Sequence, residues 1–402
     1  MRVRVLVLSN LYPPAAMGGY EMSCRDVVDR WRARGHEVTV LTTGTDLTGT
    51  VEPAAADSHV LRTLEWYWSD HRFLRPPAPA RLRLERRDQA RLKAAVRSVR
   101  PEVVSVWHMG GMPLSLLTQL ERARIPAVLN ICDDWTDYGP RVDAWLDAFA
   151  TRPVWLARTA AKVTGVPTRP PDLDRHRATF VSQFTLDRAR ERTPWRFPGA
   201  VVVGSGVDTG DFPIHNAAPD RRWGWRLLCV GRVEPRKGFD VAVRAMAELP
   251  EATLRMVGVP DPAYADQLRR EAADLGVADR VRMEALPRMA LREAYAAADA
   301  VIFPSRWDEP FGLVPLEAMT QGIPVVATRR GGSAEFLADG VNCLEVAVDD
   351  PAGVAAAVRR LADDPALRRR LAEGGRATVA GYTADRLADV LEAVHVEAAA
   401  GE

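Results

Sequence analysis

Lysine is nearly missing from this chain: only Lys93, Lys162 and Lys237 stand among its 54 basic residues. So few lysines leave little room for a coenzyme held as a Schiff base, and a lysine between a strand and a helix, as Lys237 is, becomes a candidate anion ligand. The four cysteines, Cys24, Cys132, Cys229 and Cys343, lie far apart, which excludes a disulfide framework and a cysteine-based zinc site and reads as unpaired core thiols. No apolar run approaches the length that crosses a bilayer, and residues 1–8 read as a first strand without a cleavage region behind it, so a cytoplasmic protein is expected. A net charge of +1 gives no global attraction to nucleic acid. What remains, 402 residues with 47% hydrophobic and 27% charged, is enough for two cores in a globular protein.

Residues 2–9 carry a buried-strand pattern, 10–19 a Pro/Gly loop, 20–34 an amphipathic helix stopped at Gly35, and 37–42 the next strand. This β-loop-α-β unit predicts an open parallel sheet, whose ligands lie at the carboxyl ends of its strands. Its loop lacks the G-x-G-x-x-G pattern of a dinucleotide site, whereas Gly18 and Gly19 allow the backbone to approach a phosphate or sugar closely. Residues 103–107 form a strand delivering His108, and 127–132 another delivering Asp133 and Asp134. The small residues 204–208 read as the link to a second domain. From Trp225, strands at 253–257, 281–284, 300–303, 325–328 and 343–346 alternate with helical patterns, and the tail from Pro351 is largely helical.

The run 309–317, from Glu309 to Glu317, concentrates the chemistry. Pro315 reads as the first helical residue and Gly322 with Pro324 as the stop, which places Glu317 in the first turn. The amides of Phe311, Gly312 and Leu313 lead into that helix start, where unpaired donors favour phosphate. Two carboxylates beside an anion site make sense if they accept hydrogen bonds from sugar or ribose hydroxyls. Upstream, the apolar run 227–230 ends in Gly231-Arg232-Val233-Glu234-Pro235-Arg236-Lys237-Gly238. Arg232 and Lys237 offer a planar fork and a compact ammonium to one diphosphate. Asp133 and Asp134 lack a further ligand cluster, so no metal site is expected.

Gly231-Arg232 with Lys237-Gly238, the Glu309 and Glu317 pair, and Gly331-Gly332-Ser333-Ala334-Glu335 resemble the donor half of the retaining glycosyltransferases of family 4. Gly18-Gly19 and His108 extend the resemblance across nearly the whole chain. It implies an α/β protein of the GT-B fold, two Rossmann-like doubly wound domains facing a cleft. Residues 1–205 would bind the acceptor, 206–383 the nucleotide-sugar donor, and the last helix, 384–402, would cross back onto the first domain. By that resemblance Arg232 and Lys237 hold the diphosphate, Glu317 the ribose, and Glu309 the transferred sugar. His108 contacts the sugar or the acceptor as a neutral imidazole, and backbone around Leu286, Pro287 and Arg288 meets the base. In this family a phosphate oxygen is thought to take the acceptor's proton.

The implied reaction is retaining transfer from a nucleotide diphosphate sugar to an acceptor hydroxyl, without metal or tightly bound cofactor. The acceptor would be a small molecule, a glycan or a lipid-linked acceptor, and nucleic acid is not expected as a partner. An epimerase of the same fold, needing an acid/base pair around the sugar, and a non-catalytic sugar-nucleotide-binding protein stay open. The stretch 72–100, where Arg81, Arg83, Arg86, Arg87, Arg91, Lys93 and Arg97 outnumber Glu85 and Asp88, reads as a solvated helix or as a peripheral contact for a membrane or anionic acceptor. Pro76, Pro77 and Pro79 suggest a loop before it, ordering imperfectly or closing over substrate.

Overall fold

The computed structural model describes residues 2–44, 58–69, 72–214 and 222–401. The chain divides into two compact units, Met1–Gly204 with Leu387–Glu402, and Ser205–Arg386. In the first unit the strands are β1 (Arg4–Leu8), β2 (Glu37–Thr43), β3 (Val60–Leu64), a small antiparallel hairpin of β4 (Trp68–Ser69) and β5 (Arg72–Phe73), β6 (Val103–Val106), β7 (Ala127–Ile131), β8 (Arg177–Phe180) and β9 (Val201–Val202). Seven of them form one parallel sheet in the order β3-β2-β1-β6-β7-β8-β9.

The alternation of side chains along a strand divides this core in two. Leu6 and Leu8 of β1 pack on one face with Leu41, Val104, Val106, Leu129 and Phe180. Val3, Val5 and Val7 face the other way, with Val38, Val40, Trp31 and the last helix, Ala384–Ala400. That helix buries Leu387, Ala388, Leu391, Val394 and Ala398, a stripe at helical spacing. Polar contacts fix its register: Trp31 Nε1 donates to the Ala388 carbonyl at 3.1 Å, and Glu392 takes His36 at 2.9 Å and Arg34 at 2.5 Å.

The second unit holds β10 (Arg226–Val230), β11 (Thr253–Val257), β12 (Val281–Glu284), β13 (Ala300–Phe303), β14 (Val325–Ala327) and β15 (Leu344–Glu345), parallel in the order β12-β11-β10-β13-β14-β15. Both units are thus Rossmann-like, with the strand order reversing once in each, between β1 and β6 and between β10 and β13. All four cysteines are free. Among the described residues no helix is long and apolar enough to cross a membrane.

One local expectation changes. Pro77 caps a 22-residue helix, Ala78–Val99, with Pro79 in its first turn, where a missing N–H costs nothing, so the prolines start a helix rather than loosen a loop. Its arginines are largely engaged within the unit: Arg81 on the Ala144 carbonyl at 2.8 Å, Arg86 on the Thr164 carbonyl at 3.0 Å, and Arg87 and Arg91 on Glu65.

Leu391→Ala should destabilise the first unit by about 2–5 kcal/mol, the usual cost of a buried leucine. Urea unfolding followed at low denaturant increments measures it, and an unchanged midpoint would show that the last helix is not part of that core.

Candidate active site

The reversal between β10 and β13 brings two strand-end loops together. Gly231 leaves β10 at φ 140°, a short 3-10 turn spans Pro235–Lys237, and Gly238 turns at φ 68° into the helix Phe239–Ala245. A Cβ on Gly238 would stand 2.1 Å from the Pro304 carbonyl oxygen, so glycine is required for the two loops to touch. The Arg236 carbonyl accepts the amides of Arg306 and Trp307 at 2.9 and 3.1 Å, locking the loop after β10 to the loop after β13.

Across that contact the Lys237 ammonium donates to both oxygens of Glu309, at 2.6 and 2.9 Å, and the Ser305 hydroxyl donates to the same carboxylate at 2.8 Å. Glu309 is only 4% exposed. The loop beginning at Gly331 supports it from behind: the Gly332 amide bonds to the Glu309 carbonyl at 2.6 Å, and a Cβ on Gly331, at φ 61°, would lie 2.4 Å from that oxygen. Burial lowers the Lys237 pKa, Glu309 opposes the shift, and Arg232 and Arg236 add to it, leaving the ammonium below its ordinary value. Trp307 carries both Arg236 and Lys237 over its ring, at 4.1 and 4.8 Å from the centroid. Arg232 is more exposed and is paired with Glu234 at 3.5 Å.

The helix after this loop is Leu313–Thr320, with Gly312 as its N-cap at φ 97°. It begins two residues before Pro315, which is tolerated because first-turn amides have no acceptor within the helix. Glu317 consequently sits in the second turn rather than the first. It is buried, accepts the Tyr295 hydroxyl at 2.7 Å and faces Arg288 at 3.5 Å, which also pairs with Asp211 at 3.0 Å. Burial raises the Glu317 carboxyl above its ordinary pKa against the pull of Arg288 and Tyr295. Pro287 caps the helix Arg288–Ala297, with Leu286 half-buried before it. The Phe311 ring belongs to an aromatic cluster with Phe336 and Tyr382, so only its backbone is available to a ligand.

In the first unit the loops after β1, β6 and β7 make a second cluster. His108 Nε2 lies 2.8 Å from the Tyr138 hydroxyl and 3.2 Å from Asp133, with Glu21 at 3.8 Å from Nδ1 and Tyr20 stacked on the ring at 5.0 Å. Glu21 also accepts the Gly18 amide at 3.0 Å, so the extended glycine before the helix Gly19–Ala33 is tied to the same carboxylate. Burial works against protonation of His108, but Asp133 and Glu21 outweigh it and raise its pKa to about 10. That direction favours the protonated ring over the neutral imidazole expected from the sequence. Asp133 and Asp134 part company: Asp133 serves His108, Tyr138 and the Trp135 amide, whereas Asp134 pairs with Arg188 at 3.1 Å.

Ser305, Trp307, Tyr295, Tyr138 and Glu21 were not singled out by sequence reasoning. The spacing of Ser305 four residues before Glu309, and of Glu21 three after Gly18 as in a capping box, were signals available for two of them.

Two Rossmann-like units, each with its polar cluster at the strand-order reversal, have the GT-B fold of solved glycosyltransferases. Residues 219–378 match the family described as glycosyl transferases group 1, and residues 18–169 the glycosyl transferase 4-like domain. The chain belongs to this glycosyltransferase family. It is 41% identical over 199 residues to a D-inositol 3-phosphate glycosyltransferase of Frankia alni, covering 45% of this chain and 49% of that protein. The chain thus spans about half the length of the inositol-phosphate glycosyltransferases it matches. Among solved structures, a sucrose-phosphate synthase of Thermosynechococcus elongatus superposes with a TM-score of 0.74 at 21% identity over 100% of both chains. The Anabaena protein HepE, in complex with UDP and glucose, does so with 0.70 at 18% identity over 98% of this chain and 99% of its own.

An imidazolium whose pKa stands above its unfolded value contributes stability that is full below about pH 6.5 and lost as pH rises through the folded value. The first unit should therefore lose stability between about pH 6.5 and about 10, and His108→Gln should flatten that slope. Denaturant unfolding of both proteins across this range decides it; identical slopes would show that His108 is not held as a cation.

Proposed function

We propose that this chain transfers a glycosyl group from a nucleotide diphosphate sugar to an acceptor hydroxyl, with retention at the anomeric carbon and without a divalent metal. The observation that supports it is the buried ammonium of Lys237, held by Glu309 where two strand-end loops meet. Lysine has three N–H donors, and Glu309 takes two. The third serves a phosphate oxygen, joined by the Arg232 guanidinium, whose charge Lys237 already feels. As the bond from the anomeric carbon to the diphosphate oxygen breaks, charge builds on the leaving group, and these cations with the amides at Phe311, Gly312 and Leu313 stabilise it. The acceptor oxygen forms the new bond and its proton passes to a phosphate oxygen. Glu317, oriented by Tyr295 and Arg288, accepts from the ribose hydroxyls. HepE's bound UDP supports a nucleoside diphosphate as the donor's carrier. The acceptor is a small molecule, a glycan or a lipid-linked sugar, contacting the first unit near Gly18, Gly19 and His108.

The two carboxylates should separate on mutation. Glu317→Gln is expected to raise the donor KM with kcat largely kept, because its binding is similar in ground and transition states. Glu309→Gln is expected to depress kcat about tenfold to a hundredfold, the range for one charge-assisted contact to a developing charge. The same substitution leaves the Lys237 ammonium without its counter-charge, so kcat of this variant should fall with rising pH where the parent enzyme is flat. Steady-state kinetics against pH, with donor affinity by calorimetry, test this. Normal turnover with collapsed donor binding in Glu309→Gln would reverse the division of roles.

Turnover should survive exhaustive chelation, since fixed cations already face the leaving group. A complete loss restored by added divalent ion would refute the metal-independent reading.

A further inference from the structure

The helix Val154–Thr164 of the first unit is seated on its inner face, with Ala157 buried and Leu156, Ala160 and Ala161 half-buried. The Thr168 hydroxyl bonds to the Ala157 carbonyl at 2.9 Å, Arg86 to that of Thr164 at 3.0 Å, and Trp145 Nε1 to that of Pro167 at 2.8 Å. Its outer face carries Trp155, Arg158, Thr159, Lys162 and Val163, at the i, i+3, i+4, i+7, i+8 spacing of one helical stripe, all exposed. Trp155 is 68% and Val163 77% exposed, with Val154 beside them at 47%.

Charge along this segment has one sign. Between Asp147 and Asp172 there is no acidic residue, while Arg152, Arg158, Lys162 and Arg169 are all present and exposed. None of these four forms an ion pair among the described residues, although Arg34, Arg75, Arg87, Arg91, Arg141, Arg177 and Arg188 of the same unit each reach a carboxylate. Asp147 is itself neutralised by Arg75 at 2.7 Å.

We propose that this face docks on an anionic lipid surface, with Trp155, Val154 and Val163 entering the interface and Arg152, Arg158, Lys162 and Arg169 meeting lipid phosphates. An indole beside aliphatic side chains, interleaved with unpaired cations on a helix lying along the surface, matches the physics of interfacial helices. A nucleic acid would use the cations and stack on the indole but gains nothing from exposed valines.

The test is co-sedimentation of the full chain with vesicles of phosphatidylcholine alone or mixed with phosphatidylglycerol, at low and high salt. The expected result is pelleting with the anionic vesicles only, weakened by salt. Each cation near such a surface is worth about fivefold in partition, so Arg158→Glu with Lys162→Glu should lower it at least about twenty-fivefold. Trp155→Ser should lower it too, and melting curves of the variants confirm that they remain folded. Soluble glycerophosphoglycerol should not displace the protein; displacement would mean a headgroup pocket and overturn a surface mode. Equal pelleting of parent and variants, equal pelleting on both lipids, or binding only to an oligonucleotide would each overturn the proposal.

Discussion

The reversal of strand order in each parallel sheet is the constraint on which the rest depends. A strand followed by a helix crosses to its parallel neighbour over one face of the sheet, and where the order reverses the two connections leave on opposite faces. Their strand-end loops then diverge above the sheet and leave polar backbone and side chains between them. In the second unit this point lies between β10 and β13, so residues 72 positions apart, Lys237 and Glu309, meet within hydrogen-bond distance. In the first it lies between β1 and β6, which places the glycine loop near His108. Buried apolar strands on both faces supply the rigidity that keeps these loops in register.

Within the second unit, burial makes the electrostatics consequential. A lysine ammonium removed from water prefers to lose its proton unless a carboxylate faces it, and Glu309 supplies that charge at the cost of occupying two donors. The pairing gives Glu309 two duties in the proposed reaction, holding the cation that meets the diphosphate and facing the transferred sugar. Glu317 stands in a separate network, with Tyr295, Arg288 and Asp211, and its chemistry is independently set.

His108 shows how far a neighbourhood moves a side chain from its ordinary behaviour. A strand-end histidine in isolation is mostly neutral at physiological pH. Here Asp133, Glu21 and the Tyr138 hydroxyl surround it, and two carboxylates near one imidazole make the charged form the stable one. The ring's Nε2 is the nitrogen within hydrogen-bond distance of partners, the Tyr138 hydroxyl and Asp133.

The apolar runs at 227–230 and 300–303 and the alternation of strand and helix determined the two doubly wound sheets, because a strand buried on both faces has to be apolar throughout. The scarcity of lysine and the spacing of Glu309 and Glu317 likewise marked the second unit's loops in the sequence alone. Sequence did not reveal that Lys237 and Glu309 bond each other, that Tyr295 and Arg288 orient Glu317, or that Asp133 and Glu21 stand beside His108. Nor did it place Leu313 rather than Pro315 at the helix start. Those facts were decided by tertiary structure, because contact and desolvation depend on residues distant in the chain that only the strand order brings side by side.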